Sequence, residues 1–290
     1  MAAANVLLSF GHGYSAQALA ARLLPQGWEV IGTTRSAEKA AAVRATGAAA
    51  VVWPGAEIGP ALYRATHLLI SAGPDADGDP VLAALGPEIR ARAGQLAWVG
   101  YLSTTGVYGD RAGGMVDEAS PCSPSTRRGQ WRLEAERAWQ ALHREAGLPL
   151  QIFRLAGIYG PGRGPFAKLR AGTARRIVKP GQVFSRIHVE DIATVLQAAI
   201  ARPNPGAVYN LCDDEAAPPE DVIGYGAELL GLPLPPAEPF ETAEMTAMAR
   251  SFYAESKRVD NGRIKRDLGI RLRYPTYREG LRALLQTEDG

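Results

Sequence analysis

Apolar residues in the first half of this chain come in short unbroken runs, separated by stretches with helical spacing. Val6-Leu7-Leu8-Ser9-Phe10 is the first run. Leu19 with Leu23 and Ala20 with Leu24 then repeat at helical spacing, and the pattern stops near Gly27. Further runs at 28–33, 50–53, 68–71, 96–102 and 150–153 predict, with the first, six strands. Helices are expected over 36–45, 79–93 and 125–146. The last of these is expected to carry Trp131, Ala135, Ala138 and Leu142 along one side. Unbroken apolar strands joined by helices imply a parallel sheet covered on both faces, an α/β fold. From about Gly157 the alternation gives way to an irregular pattern, so a smaller C-terminal lobe is expected.

The junction after the first strand carries chemistry. Gly11-His12-Gly13-Tyr14-Ser15-Ala16 stands between an apolar strand and an Ala/Leu-rich helix. Gly11 allows a tight turn, Gly13 lets backbone approach a pyrophosphate, and Ala16 permits close helix–strand packing. Amides at the helix start, those of Tyr14, Ser15 and Ala16, then face the phosphate. This is the fingerprint of a Rossmann-type, doubly wound parallel sheet. Residues 1–155 are expected to form the dinucleotide-binding domain and 156–290 the substrate lobe, with about 185–212 returning to the sheet's core. Ligands of such sheets bind beyond the carboxyl ends of the strands, where Ser71 and Ala72 also fall. After the second strand the chain reads Thr34-Arg35-Ser36. An Asp or Glu there accepts from ribose hydroxyls, whereas a hydroxyl and a cation suit a 2′-phosphate. NADP(H) is therefore favoured over NAD(H). His12, inside the turn, is read either as a phosphate contact or as solvent-exposed.

Composition narrows the class. The 290 residues carry a formal net charge of +2, which exerts no overall pull toward nucleic acid or membrane. Two cysteines, Cys122 and Cys212, have no metal spacing around them, and no metal site is expected. Few cysteines and a start, Met1 to Phe10, without a basic n-region suit the cytoplasm. No window approaches a membrane span. The Pro-rich stretch 232–236 reads as a surface turn or linker. Between Glu145 and Glu190 there is no acidic residue, while Arg154, Arg163, Lys168, Arg170, Arg175, Arg176, Lys179 and Arg186 all fall there. Few aromatics interleave them, which argues against nucleic acid. The interval is read as solvated surface or as a field that attracts a small anionic substrate.

Several segments resemble the extended short-chain dehydrogenase/reductases, the NAD(P)-dependent epimerase/dehydratase relatives. Ser103-Thr104-Thr105-Gly106-Val107-Tyr108-Gly109 is similar to their Ser/Thr-x-x-Val-Tyr-Gly segment. Arg154 to Gly162 looks like their loop after the sixth strand, and Ile187-His188-Val189-Glu190-Asp191 like their Ile-His-Val-x-Asp. Val208-Tyr209-Asn210-Leu211 and Leu268-Gly269 near Tyr274 fit later elements. The resemblance spans nearly the whole chain. It implies that Thr104 polarises a substrate oxygen and that Ser103 and Tyr159 lie near the cofactor. It also implies a Tyr-x-x-x-Lys pair on the next helix, and here the chain departs from the pattern. Arg128 and Arg132 stand at that spacing. Arg132 can still bond a ribose; Arg128 cannot exchange a proton near neutral pH. Tyr108 and Tyr159 are the candidate substitute phenols, and each also reads as a packing residue. His188 reads as a buried, hydrogen-bonded imidazole. Asp75, Asp77 and Asp79 read as a turn and a helix cap.

The nucleotide-sugar members carry an Arg ahead of Ile-His-Val, where this chain has Phe184. A nucleotide diphosphate would lose that contact; Arg186, Lys179 or Arg250 are the candidates to replace it, but their spacing argues against a standard nucleotide-sugar site, and a smaller anion is expected. The resemblance implies an NADP(H)-dependent oxidoreductase or epimerase/dehydratase-like enzyme. Its alternative is a non-catalytic NADP(H)-binding redox sensor acting through a protein partner. The helix over 125–146 is the candidate surface for a homodimer.

Overall fold

A computed structural model describes residues 5–288. The first four residues of the start read above for a leader lie outside it. In chain order the first elements are β1 (Val6–Phe10), α1 (Tyr14–Leu23), β2 (Glu29–Thr34), α2 (Ala37–Ala45) and β3 (Ala49–Val52). Then come α3 (Gly59–Arg64), β4 (His67–Ile70), α4 (Pro80–Ala91), β5 (Trp98–Thr104) and β6 (Met115–Val116). They are followed by α5 (Arg127–Ala146), β7 (Leu150–Leu155), β8 (Gly157–Tyr159), α6 (Phe166–Arg170) and β9 (Arg176–Val178). Next are β10 (Arg186–His188), α7 (Val189–Ala201), β11 (Val208–Leu211), α8 (Pro219–Leu229) and β12 (Ala237–Pro239). The chain closes with α9 (Ala247–Phe252), β13 (Arg258–Val259), α10 (Gly262–Leu268) and α11 (Tyr277–Glu288).

Seven strands form one sheet in the order β11-β7-β5-β4-β1-β2-β3. β1 pairs in parallel with both β2 and β4. The chain therefore winds outward one way through β2 and β3, then the other way from β4, and the strand order reverses beside β1. That switch point is where a doubly wound sheet opens a crevice.

The chain divides into two compact units. The first holds 1–104, 130–154 and 192–209; the second holds 105–129, 155–191 and 210–290. Each has its own core. In the first, Leu8, Phe10, Leu68 and Ile70 pack with Val81, Leu85, Ile89, Trp139 and Leu142. In the second, Tyr159, Phe166 and Leu169 pack with Ala227, Tyr277, Leu281 and Leu284. Full burial of one such large apolar side chain contributes about 1.5–3 kcal/mol.

Local signals explain most element ends. Gly27, left-handed at φ 80°, closes the turn after α1. Ser36 caps α2 by accepting from the Lys39 amide at 3.3 Å. Asp79 caps α4 by accepting from the Val81 and Leu82 amides at 2.9 and 3.0 Å, and Asp75 accepts from the Asp77 amide in the preceding turn.

Three expectations need correction. The α5 stripe is displaced: Ala138 is exposed, and Leu133, Ala135, Glu136, Trp139 and Leu142 are buried. Trp139 takes the inward position because its indole N–H also finds Asp79 Oδ2 at 3.1 Å. Strand β5 runs to Thr104, two residues past its last strongly apolar one. α3, with little periodic signal in six residues, was not anticipated.

Candidate functional site

The dinucleotide half of the site is built in the first unit. Gly11 has φ +74°, and a Cβ there would sit 2.7 Å from the Ala72 amide nitrogen. Turn geometry and the approach of the β4 end both require glycine. Ser71 and Ala72 donate their amides to Phe10 O at 2.8 and 3.0 Å, which locks that approach. Thr33 Oγ1 accepts from the Gly11 amide at 2.9 Å. The hydroxyl before Thr34 therefore holds the turn itself, a role the sequence reading missed. Gly13 precedes α1, and a Cβ there would meet only Gly11 O, at 3.7 Å. The space above Gly13 is open to a ligand. No side chain caps α1, and Ala16 is fully buried beneath it. That is the arrangement in which a helix start receives an anion.

Past β2, Thr34 is half-buried and Arg35 is exposed. Ser36 is spent on capping α2. His12 is only 4% exposed, which rules out its solvent-exposed reading. Its imidazole lies across β2 so closely that a Cβ on Gly32 would be 2.5 Å from its Cγ. Burial lowers its pKa from 6.5 to about 4, so the ring is neutral near pH 7.

At the carboxyl end of β5, alternation sends neighbours to opposite faces. Tyr101 and Ser103 face α5. Arg132 Nη1 donates to the Tyr101 hydroxyl at 3.1 Å and to Leu102 O at 2.9 Å. Its Nη2 comes within 3.5 Å of the point where a Gly73 Cβ would stand. Arg132 thus spans the chain after β4 and the carboxyl end of β5. Burial pushes the Tyr101 phenol well above its ordinary range, and Arg132 opposes that. The Ser103 hydroxyl donates to buried Glu136. Glu136 also accepts from Arg154, Nε to Oε1 at 3.1 Å and Nη2 to Oε2 at 2.7 Å. Thr104, of opposite parity to Ser103, is half-buried at the strand end.

The second unit holds the remaining candidates. Tyr108 is fully buried and donates to Asn210 Oδ1 at 2.7 Å. The Asn210 side-chain amide in turn donates to Asp260 O at 3.2 Å, and its backbone N–H donates to Glu118 Oε1 at 2.8 Å. The phenol proton of Tyr108 is committed to that network. Tyr159 lies edge-on to His188 with ring centroids 5.1 Å apart. A Cβ on Gly280 would collide with its hydroxyl at 2.1 Å. Both phenols are packing residues in this conformation. His188 is buried as expected, its Nδ1 accepting from the Glu190 amide at 3.2 Å.

The basic interval is not one field. Arg154 is buried against Glu136, Arg175 pairs with Glu238 at the surface, and Lys179 donates to Tyr253 O. Arg186 is half-buried in the second unit. Its Nη1 donates to Phe184 O at 2.8 Å and Ala217 O at 3.0 Å. Among the described residues no cluster of His, Cys, Asp and Glu is arranged to hold a metal. No helix there is long and apolar enough to cross a membrane.

The reversed strand order and the glycine turn at the switch point define a Rossmann-type, doubly wound dinucleotide fold. The chain belongs to the NAD dependent epimerase/dehydratase family, whose model matches residues 89–212. It is 30% identical over 279 residues to Protein YeeZ of Escherichia coli (strain K12), covering 91% of this chain and 94% of that one. A structure of a functionally unknown conserved protein from Silicibacter pomeroyi is 63% identical, with 98% and 99% of the two chains covered and a TM-score of 0.94. UDP-glucuronic acid 4-epimerase from Bacillus cereus, in complex with NAD, shares the fold at TM-score 0.77 and 18% identity, covering 97% of this chain and 96% of that one.

Proposed function

We propose that this chain is an NADP(H)-dependent oxidoreductase or epimerase/dehydratase-like enzyme acting on a small anionic substrate. The observation that carries the reading is the first unit's turn. An uncapped helix start, an open Gly13 and an exposed Arg35 after β2 fit a dinucleotide with a 2′-phosphate. The structural neighbour that holds NAD supports a nicotinamide cofactor of some kind. When bound, such a cofactor supplies hydride transfer.

The chain's own residues take the other roles. Arg132, fixed by Tyr101 and Leu102, is the group to orient the ribose in place of the missing lysine. Thr104 is the hydroxyl to polarise the substrate oxygen. Arg128 holds its proton throughout and serves only as a positive charge.

A second reading is a redox sensor that binds NADP(H) and contacts a protein partner. It is favoured by Tyr108 and Tyr159, whose phenols are both occupied in packing. Calorimetric titration with NADPH and NADH, on wild type and Arg35→Ala, tests the cofactor. Tight NADPH binding that weakens about tenfold or more in the variant, with NADH unchanged, is expected from a lost charge-assisted contact. No binding of either nucleotide refutes the reading. Equal affinity for oxidised and reduced cofactor removes the sensor.

A further inference from the structure

Arg186 is a half-buried guanidinium of the second unit that lies over the Phe184 ring and makes no ion pair among the described residues. Its Nη1 donates to Phe184 O and Ala217 O. Both carbonyls already accept a backbone N–H from the Phe184–Ala217 bridge, each at 3.1 Å. Among the described residues no carboxylate oxygen lies within 4.0 Å of its guanidinium nitrogens. Burial pushes its pKa below the ordinary arginine value, with Asp213 and the phenols of Tyr277, Tyr159 and Tyr253 opposing. Interior charges are ordinarily paired, because removal from water is costly.

Asp213 stands next to it in the fold, its amide donating to Arg186 O at 2.6 Å. Its side chain is 3% exposed. Oδ1 accepts from the Glu215 amide at 3.3 Å, and Oδ2 is buried with no hydrogen-bond partner. Burial raises this carboxyl to about 8, against Arg186 and with Asp214 and Glu215 adding to the rise. It therefore carries a proton near neutral pH and offers an O–H donor. A groove of about 510 Å³ runs beside α8 and α11. Its lining includes Arg176, Glu220, Tyr277 and Arg278 but not Arg186 or Asp213, and the charges of Glu220 and Tyr277 act on Arg186. Glu220 Oε2 is likewise buried without a partner. That volume suits a small molecule.

We propose that Arg186 and Asp213 form the receptor for a substrate carboxylate, a site that rests on the small-anion reading given above. The carboxylate accepts from the guanidinium and from the protonated Asp213 carboxyl. A phosphate dianion fits less well, because other cations of the second unit are engaged: Arg176 Nη1 donates to Pro235 O, Lys179 to Tyr253 O, and Arg278 pairs with Glu215. Asp214, Glu215 and Glu220 would also repel a second negative charge.

The test uses the full chain with sodium glycolate and inorganic phosphate as probes at matched ionic strength, followed by thermal shift and calorimetry. Glycolate is expected to stabilise wild type more than phosphate does, with the effect fading as pH rises past about 8, where Asp213 ionises. Arg186→Met is expected to lose glycolate affinity by at least about tenfold, the measure of a charged hydrogen bond. Its Tm without ligand should match or exceed wild type, because a half-buried charge without an ion pair is gone and no carbonyl is left unpartnered. Asp213→Asn keeps a donor and should bind with a flat pH profile. A lowered Tm in Arg186→Met with glycolate binding retained makes Arg186 structural and overturns the receptor. Phosphate binding as tight as glycolate also overturns it. No response to either anion, with NADPH binding intact, instead refutes the small-anion reading and the receptor with it.

Discussion

Three buried histidines should make this protein acid-labile in a defined window. His12, His67 and His188 are 4%, 6% and 1% exposed. Burial lowers each from 6.5 to about 4. A histidine depressed in the folded state contributes stability above pH 6.5 that is lost as pH falls toward 4, because the unfolded chain binds the proton first. Asp213 has the opposite sign: raised from 3.8 to about 8, it holds a proton that the unfolded chain has released. Between pH 6.5 and 4 unfolding therefore takes up three protons and releases one. Each net proton is worth about 1.4 kcal/mol per pH unit. Over that window the loss is at most about 7 kcal/mol, and about half of that after solvent screening. Either figure is a large share of a typical 5–15 kcal/mol total.

Above pH 6.5 only Asp213 titrates among these four, and stability should fall by about 2 kcal/mol toward pH 8. The other shifted carboxyls run both ways. Burial raises Glu118 and Glu220, while hydrogen bonds lower Asp110, Asp117 and Glu279. A stability maximum near pH 6.5 follows. Urea unfolding monitored by tryptophan fluorescence from about pH 4.5 to about 8.5 measures the curve. His12→Asn should shallow the acid limb, and Asp213→Asn should flatten the alkaline one. Stability that stays level or rises between pH 6.5 and 4.5 would falsify the reasoning.

Two further outcomes test the first unit. Arg154→Met leaves the Glu136 carboxylate buried beside Ser103 without its ion pair, and should cost about 3–5 kcal/mol in denaturant unfolding. The double variant with Glu136→Gln should recover part of that loss; full additivity would argue against a coupled network. Gly32→Ala places a methyl 2.5 Å from His12 Cγ and should cost about 1–3 kcal/mol by overpacking. It should also weaken nucleotide binding, read by the same calorimetry, because the turn carrying His12 must shift.

The strand and helix pattern of the first half was legible in the chain because each strand is buried on both sides. Burial of that kind writes itself as unbroken apolar runs, as at Val6 to Phe10. The glycine turn was legible for a similar reason: a left-handed Gly11 pressed on Ala72 admits no other residue. Side-chain direction was less legible. The choice of Trp139 over Ala138 depended on Asp79, 60 positions away in sequence. That the Ser103 hydroxyl meets Glu136 of α5, itself paired with Arg154 of β7, was not legible in the sequence.

The same limit holds for charge. Arg154, Arg175 and Arg186 are close in sequence and alike in composition, yet one is ion-paired in a core, one is ion-paired at the surface, and one is half-buried and bonded to backbone carbonyls. Local periodicity and backbone sterics act between near neighbours, so the sequence alone determined the strands, the turn and the family's fold. Hydrogen-bond partners and desolvation depend on residues brought together from distant positions. Only the tertiary structure decided that Tyr108 and Tyr159 are packed, that His12 is neutral, and that the Asp213 amide bonds Arg186 O.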